Sequence, residues 1–211
     1  MPSPVDPRGH GESASSEAHR ANHPDAPTGR ARKYALVERE RRFLLAESPV
    51  GVPTHQVLIE DRYLRGTRMR LRRMTNLEEP GFRLTYKLTQ KIPSVSGAPG
   101  LITTLYLSAD EYTALLDIPA EALRKIRSSF PPLGVDVFEG PLRGLVLAEA
   151  EFETARDEAN FHLPAQAVAE VTADVRFTGG RLVTLTAVET ADLLSTFGID
   201  RRPDSAVSWR P

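Results

Sequence analysis

Charged residues recur at alternate positions along several short stretches of this chain, and each stretch tends to carry one sign. In "YALVERERRFLL", Glu38, Glu40 and Arg42 share one side, while Val37, Arg39, Arg41 and Phe43 occupy the other. In "TRMRLRRM", Arg68, Arg70 and Arg72 alternate with Met69 and Leu71. In "FRLTYKL", Arg83, Thr85 and Lys87 alternate with Leu84, Tyr86 and Leu88. "LAEAEFET" lines up Glu149, Glu151 and Glu153 opposite Ala148, Ala150 and Phe152. "EVTADVRF" places Thr172, Asp174 and Arg176 opposite Val171, Val175 and Phe177. A period of two places alternate side chains on one face of a strand.

A solvated sheet face is the plain explanation for such alternation. Segregation of sign by strand argues for a different one, because like charges in a row repel unless something of opposite charge sits among them. If these faces turn inward, basic and acidic walls look onto one cavity. A polyphosphate carried with a divalent cation suits both walls. Arg and Lys bind phosphate oxygens, Arg through a planar fork. Carboxylates hold Mg²⁺ or Mn²⁺, hard ions that prefer oxygen. On this reading Glu38 and Glu40 hold metal, and Arg42 reaches a phosphate.

The elements that must position these residues are short strands. "KYALVERERRFLLA", "HQVLIEDRYLR", "TRMRLRRMT", "FRLTYKLTQK", "LITTLYLS", "VDVFEG", "LRGLVLAEAEFET" and "EVTADVRFTG" are each of strand length and bounded by turn residues. Helices are fewer. Ser108 to Glu111 forms a capping-box pattern ahead of "EYTALLD". "PAEALRKIRSS" predicts a second helix, or a helix running into a strand. "AVETADLLSTFG" predicts an amphipathic helix stopped at Gly198. The pattern is that of a β-rich α+β domain, a barrel or a strongly curved sheet.

Composition narrows the field. Hydrophobic residues are 40% and charged residues 26%, enough for a core with charge left for a site. The balance of 27 Lys+Arg against 28 Asp+Glu speaks against a nucleic-acid partner. With no cysteine, disulfides and thiolate metal sites are excluded. No apolar run reaches the ~20 residues of a membrane span, and the first residues lack the apolar core of a secretory signal. A cytoplasmic protein without membrane contact is expected. Residues 1–32 are poor in large aliphatics and predict a disordered tail. His10, His19 and His23 fall there without metal-ligand spacing. A domain over residues 33–200 and a C-terminal tail over 201–211 complete the expected organisation.

Together the motifs resemble the CYTH domain of the triphosphate tunnel metalloenzymes. "ERERR" is similar to the family's E-x-E-x-K signature, "RMRLR" to its R-x-R strand and "LTYK" to its T-x-K strand. "LRKIR" is similar to its K-x-R element, and "VDVFEGPLRGLVLAEAEFE" and "EVTADVRFTGGRL" to its last two blocks. The resemblance implies an antiparallel eight-stranded β-barrel, a tunnel with a few flanking helices. It implies binding of a small-molecule triphosphate with Mg²⁺ or Mn²⁺. By position, Glu38, Glu40, Asp136, Glu149 and Glu151 match the metal side, and Glu153 extends that row. Arg68, Arg70, Lys87, Lys125 and Arg127 match the phosphate side. Arg42 and Arg176 are further substrate contacts, although Arg72, Arg83 and Arg176 also fit internal ion pairs. Arg39, Arg41 and Arg73 have the parity of the outer face, and Asp61 and Tyr63 that of the tunnel lining.

Two departures stand out. Arg42 occupies a position that is usually Lys in the family, and a guanidinium cannot act as a general base. Thr103 and Thr104 stand where the family often has glutamates. The expected activity is metal-dependent hydrolysis of a triphosphate, tripolyphosphate first, with Glu38, Glu40, Arg42 and Lys87 at its centre. A cyclase making cyclic AMP from ATP and a non-catalytic polyphosphate-binding module are the alternatives. Self-association is left open.

Overall fold

The computed structural model describes residues 34–78, 83–92 and 100–200. The expected disordered tail over 1–32 and the C-terminal tail over 201–211 fall outside them. Ten strands form one antiparallel sheet: β1 (Leu36–Val37), β2 (Glu40–Leu45), β3 (His55–Leu64), β4 (Met69–Asn76), β5 (Leu84–Ile92), β6 (Leu101–Leu107), β7 (Ala120–Phe130), β8 (Leu133–Phe138), β9 (Val146–Glu151) and β10 (Ala167–Glu170). Their spatial order is β1-β6-β5-β4-β3-β7-β8-β9-β2-β10. Four short helices accompany them: α1 (Ala109–Ala114), α2 (Ala155–Asn160), α3 (Gly179–Leu182) and α4 (Ala187–Ser195). The class is α+β, as the alternating patterns predict.

The expected eight strands become ten because the first strand divides in two and a segment expected to be helical, β7, is a strand. The first strand breaks at Glu38 and Arg39, so its first piece pairs with β6 and its second with β9. Glu38 N–H donates to the Gly100 carbonyl at 3.1 Å, and Phe152 N–H donates to the Arg39 carbonyl at 2.9 Å. No continuous ladder joins β6 to β2. The two-residue break itself brings the ends of the sheet together, giving a tunnel-like form. Beyond the break, β2 takes β10 as its second neighbour, with Glu170 opposite Phe43.

Two further expectations change. "PAEALRKIRSS" is strand from Ala120 onward, despite the helix propensity of its Ala, Glu, Leu, Arg and Lys residues. Between β3 and β8, β7 has neighbours on both edges, and its register with β3 runs from His55↔Ser129 to Leu64↔Ala120. Tertiary pairing outweighs local preference. The stretch from Glu170 to Gly179 is not a strand throughout. It leaves the sheet after Glu170, and the Asp174 side chain caps Arg176 N–H to open a 3₁₀ turn over Val175–Phe177. The helical signals elsewhere hold, since both α1 and α4 begin with a complete capping box, Ser108 with Glu111 and Thr186 with Glu189.

Packing divides into three clusters. Outer-face residues Leu64 and Leu71 pack beneath Tyr112 of α1. Phe43, Leu45, Val135 and Ala148 pack with Phe152 and Phe161 on another side. The largest cluster fills one end of the sheet's interior. Leu44, Leu123, Phe138 and Leu147 meet Phe177, Leu182, Leu193 and Leu194 of the C-terminal segment. Leu44, Leu123 and Leu147 lie two residues beyond Arg42, Lys125 and Glu149 on the same strand faces, so each inner stripe passes from charged to apolar at this end.

Gly179 fits against that end closely. A Cβ there would lie 1.9 Å from the Tyr63 hydroxyl. Gly179→Ala must therefore displace either the ring or the segment, and overpacking of this kind costs about 1–3 kcal/mol. The expected result is a lower midpoint in urea unfolding; an unchanged midpoint would show that Gly179 is not seated on Tyr63.

Candidate functional site

The inner stripes enclose a cavity of about 1000 Å³. Its lining includes Arg39, Arg42, Arg68, Arg70, Arg72, Lys91, Lys125 and Arg127 together with Glu38, Glu40, Glu149, Glu151 and Glu158. Eight cations against five carboxylates leave an excess of three positive charges. Asp61 and Asp136, buried behind this surface, reduce the excess to one. The attraction for an anion is therefore local to particular walls.

The register explains the walls. Arg70 lies opposite Thr89, and Arg72 opposite both Asp61 and Lys87. Glu40 lies opposite Glu151, Arg42 opposite Glu149, and Arg127 opposite Asp136. Directly opposed residues of antiparallel strands share a face. The basic faces of β4 and β7 and the acidic faces of β2 and β9 thus line one cavity.

Two buried ion networks fix the floor. Lys125 Nζ lies 2.5 Å from Asp136 Oδ2, and Arg127 donates to both Asp136 oxygens at 2.7 Å. Arg127 also donates to Glu149. Burial pushes the Glu149 carboxyl up, but Arg127 and Lys125 outweigh that and hold it well below the usual range. Burial lowers the Lys125 ammonium, with Asp136 opposing. In the second network Arg72 forks onto Asp61 at 2.6 and 2.7 Å, and Arg70 Nε lies 3.6 Å from the same carboxylate. Burial raises Asp61, yet Arg72 and Arg70 bring it down to about 2. Burial and Asp61 push the Tyr63 phenol up to about 12, so it stays a neutral hydroxyl.

The acidic rim is less fully compensated. Glu40 is raised by burial and by Glu149 and Glu38 beside it, with Lys91 and Arg42 offsetting only in part. Lys91 Nζ contacts Glu38 and lies 3.9 Å from Glu40, whose nearest guanidinium atom, Arg42 Nε, is 3.5 Å away. All the donors here are oxygen, which suits Mg²⁺ or Mn²⁺. Among the described residues, no three or more His, Asp or Glu side chains are gathered tightly enough to hold an ion. The donor chemistry fits a hard cation, and taking one up requires the carboxylates to exchange their present partners.

Of the residues singled out in the sequence, Glu38, Glu40, Arg42, Arg68, Arg70, Lys125, Arg127, Glu149 and Glu151 converge on this cavity. Four do not line it. Asp136 is fully buried behind it and engaged by Lys125 and Arg127. Glu153 is exposed beyond the end of β9. Arg176 sits on its own neighbour Asp174, outside the lining. Lys87 has inward parity and lies opposite Arg72, yet it is outside the lining, with its ammonium 5.0 Å from the centre of the exposed Tyr106 ring. Arg42 reaches the cavity, but its fork donates to the Phe177 carbonyl at 2.7 Å and the Thr172 carbonyl at 3.0 Å. It clasps the C-terminal segment instead of pointing freely inward.

Arg39 lines the cavity against its parity, because the strand breaks beside it. Arg41 and Arg73 do face outward, pairing with Glu170 and Glu60. Lys91 was missed. Continuing the alternation of Lys87 and Thr89 by one step would have found it. The backbone of Thr178–Gly180 was missed as well, since nothing in the sequence says which loop returns to the barrel end.

No family model matches this chain, and neither does any curated protein. Among solved structures, the hypothetical protein NE1496 is similar at 26% identity with a TM-score of 0.47, over 71% of this chain and 99% of that one. A second structure, that of the inorganic triphosphatase NE1496, gives 24% identity and a TM-score of 0.47, over 70% and 95%. A conserved hypothetical protein from Pyrococcus furiosus gives 17% and 0.39, over 58% and 83%.

The Asp61 network sets an acid limit on stability. A carboxylate whose pKa falls from 3.8 unfolded to about 2 folded contributes about 2 kcal/mol. That contribution is complete above the unfolded value and is lost as pH falls from 3.8 through 2. The difference in unfolding free energy between the parent and Asp61→Asn should therefore shrink between pH 6 and pH 2.5. A pH-independent difference would show that Arg72 and Arg70 do not hold the carboxylate ionised.

Proposed function

We propose that this protein hydrolyses a short inorganic polyphosphate, tripolyphosphate first, with Mg²⁺ or Mn²⁺. The observation that carries the reading is a cavity lined by basic side chains of β4 and β7 together with acidic side chains of β2 and β9. Transfer of a phosphoryl group needs positioning and charge stabilisation more than covalent chemistry from the protein. A fixed set of guanidinium and ammonium groups supplies both.

Roles follow from how each cation is held. Arg72, Lys125 and Arg127 are locked by Asp61, Asp136 and Glu149, so they present a rigid positive floor. Arg68 is exposed at the cavity edge, and Arg70 lines the cavity beside Asp61 without forking onto it as Arg72 does. These two are the cations assigned to phosphate oxygens. Glu38, Glu40 and Glu151 would hold the metal, which when bound supplies Lewis-acid polarisation and charge neutralisation at the phosphate. A carboxylate of this rim is the group on the chain suited to orient an attacking water, since Arg42 cannot accept its proton. The aromatic rings of the lining, Tyr63, Phe138 and Phe177, belong to or pack on the apolar plug. Among the described residues of the lining, none of these rings is left free to stack on a nucleobase, which favours an inorganic chain over ATP and hydrolysis over cyclisation.

The test is phosphate release from tripolyphosphate by the purified protein with Mg²⁺ or Mn²⁺. Arg70→Ala should lower kcat/KM by about 30- to 1000-fold, as loss of one preorganised charge contact does. Lys87→Ala should leave it within about threefold, because that ammonium lies outside the cavity. No release from tripolyphosphate, or equal losses in the two variants, would sink the reading.

A further inference from the structure

Lys91 occupies an unusual place among the cavity's cations. Lys125, Arg127 and Arg72 are buried against carboxylates that serve as their fixed counter-ions. Arg42 is tied to two backbone carbonyls. The Lys91 side chain is 41% exposed at the rim and contacts Glu38, with Glu40 3.9 Å away. Both carboxylates are also those whose oxygens would hold a divalent cation. An ammonium and a metal ion cannot share the same carboxylate lone pairs, so one must leave for the other to enter. A flexible four-carbon stem and freely rotating donors suit an ammonium to changing partners, where a guanidinium fork is slower to be satisfied. The backbone of Lys91 is fixed meanwhile: its N–H donates to the Arg68 carbonyl at 3.2 Å. The stem therefore swings from a point beside Arg68, on the phosphate side of the cavity.

We propose that Lys91 is a partner-exchanging residue: in the empty cavity it neutralises Glu38 and Glu40, and when polyphosphate arrives it moves to the anion and frees both carboxylates for the cation. Anion and cation then assist each other's entry through one side chain. This rests on the reading of the cavity as a polyphosphate site, but its consequence is measurable without turnover. Lys91 offsets part of the repulsion between Glu38 and Glu40 when the cavity is empty, and the positive charge is delivered where the substrate lands. No bond is made or broken in the exchange.

The experiment uses the full chain, freed of metal, in calorimetric titrations with Mn²⁺ alone and with tripolyphosphate in EDTA. A partly exposed ion pair is worth about 1 kcal/mol, or about a fivefold change in an equilibrium. Lys91→Gln should bind Mn²⁺ about fivefold more tightly and tripolyphosphate about fivefold more weakly. Lys91→Arg should recover the tripolyphosphate affinity. Glu38→Gln provides a second route should Lys91→Gln fold poorly: releasing the ammonium from the other side, it should tighten tripolyphosphate binding in EDTA. Mn²⁺ affinity unchanged or weakened in Lys91→Gln would overturn the exchange, even if phosphate affinity fell. So would a Glu38→Gln variant with no gain for tripolyphosphate. Expected affinities in a protein that releases no phosphate would sustain the exchange while removing hydrolysis; hydrolysis with unaltered affinities would do the reverse.

Discussion

Charges inside a folded protein must be paired, and this fold is arranged around that requirement. Asp136 is the centre of it. The side chain is fully buried, and three strong donors from two neighbouring positions of β7 close on it. An uncompensated charge at such depth costs several kcal/mol, so Lys125 and Arg127 cannot be where they are without it. Glu149 and Asp61 extend the same logic to β9 and β4. The strands are consequently held in one register by electrostatics as well as by backbone ladders, since slipping any strand by one residue would turn its charges out and its apolar residues in.

That arrangement separates the cavity's charges into two kinds. Those on the floor are saturated by one another and supply a rigid field. Those at the rim, Glu38, Glu40, Lys91, Arg68 and Arg70, are incompletely matched or partly exposed. Rigidity where a charge must wait for a substrate and looseness where partners must change are different demands. The molecule meets them at different depths of the same strand faces.

The alternation of charge made the strands and their inner faces readable from sequence, because a period of two is a local property of the backbone. It placed Glu40, Arg70 and Glu149 on the shared interior without knowledge of the topology, whereas Arg127, in a segment read as helix, came only from the resemblance. It failed where local pattern and long-range pairing part. Lys87 has the same parity as Thr89 and Lys91, but parity cannot say which way a long side chain reaches, and the Lys87 ammonium turns to the Tyr106 ring. Arg39 was assigned outward because the strand break beside it has no turn residue to announce it. Asp136 was legible as an interior acid but not as one already engaged, since that depends on Lys125 and Arg127 reaching it from another strand. Arg42 was similarly legible as inward-facing, while its carbonyl partners lie 130 and 135 residues away in sequence.

Those separations also bear on how the molecule is made. The acidic strand is synthesised 130 residues or more before the segment it clasps, and contacts so distant in sequence are slow to form. Until residues 167–199 are available, β2 lacks its second neighbour and the inner apolar ends of β2, β7 and β9 have nothing to cover them. In that interval the half-built, highly charged interior stands open to water. A surplus of paired acids and bases, which water can solvate without aggregation, is a suitable interior for a protein that has to wait.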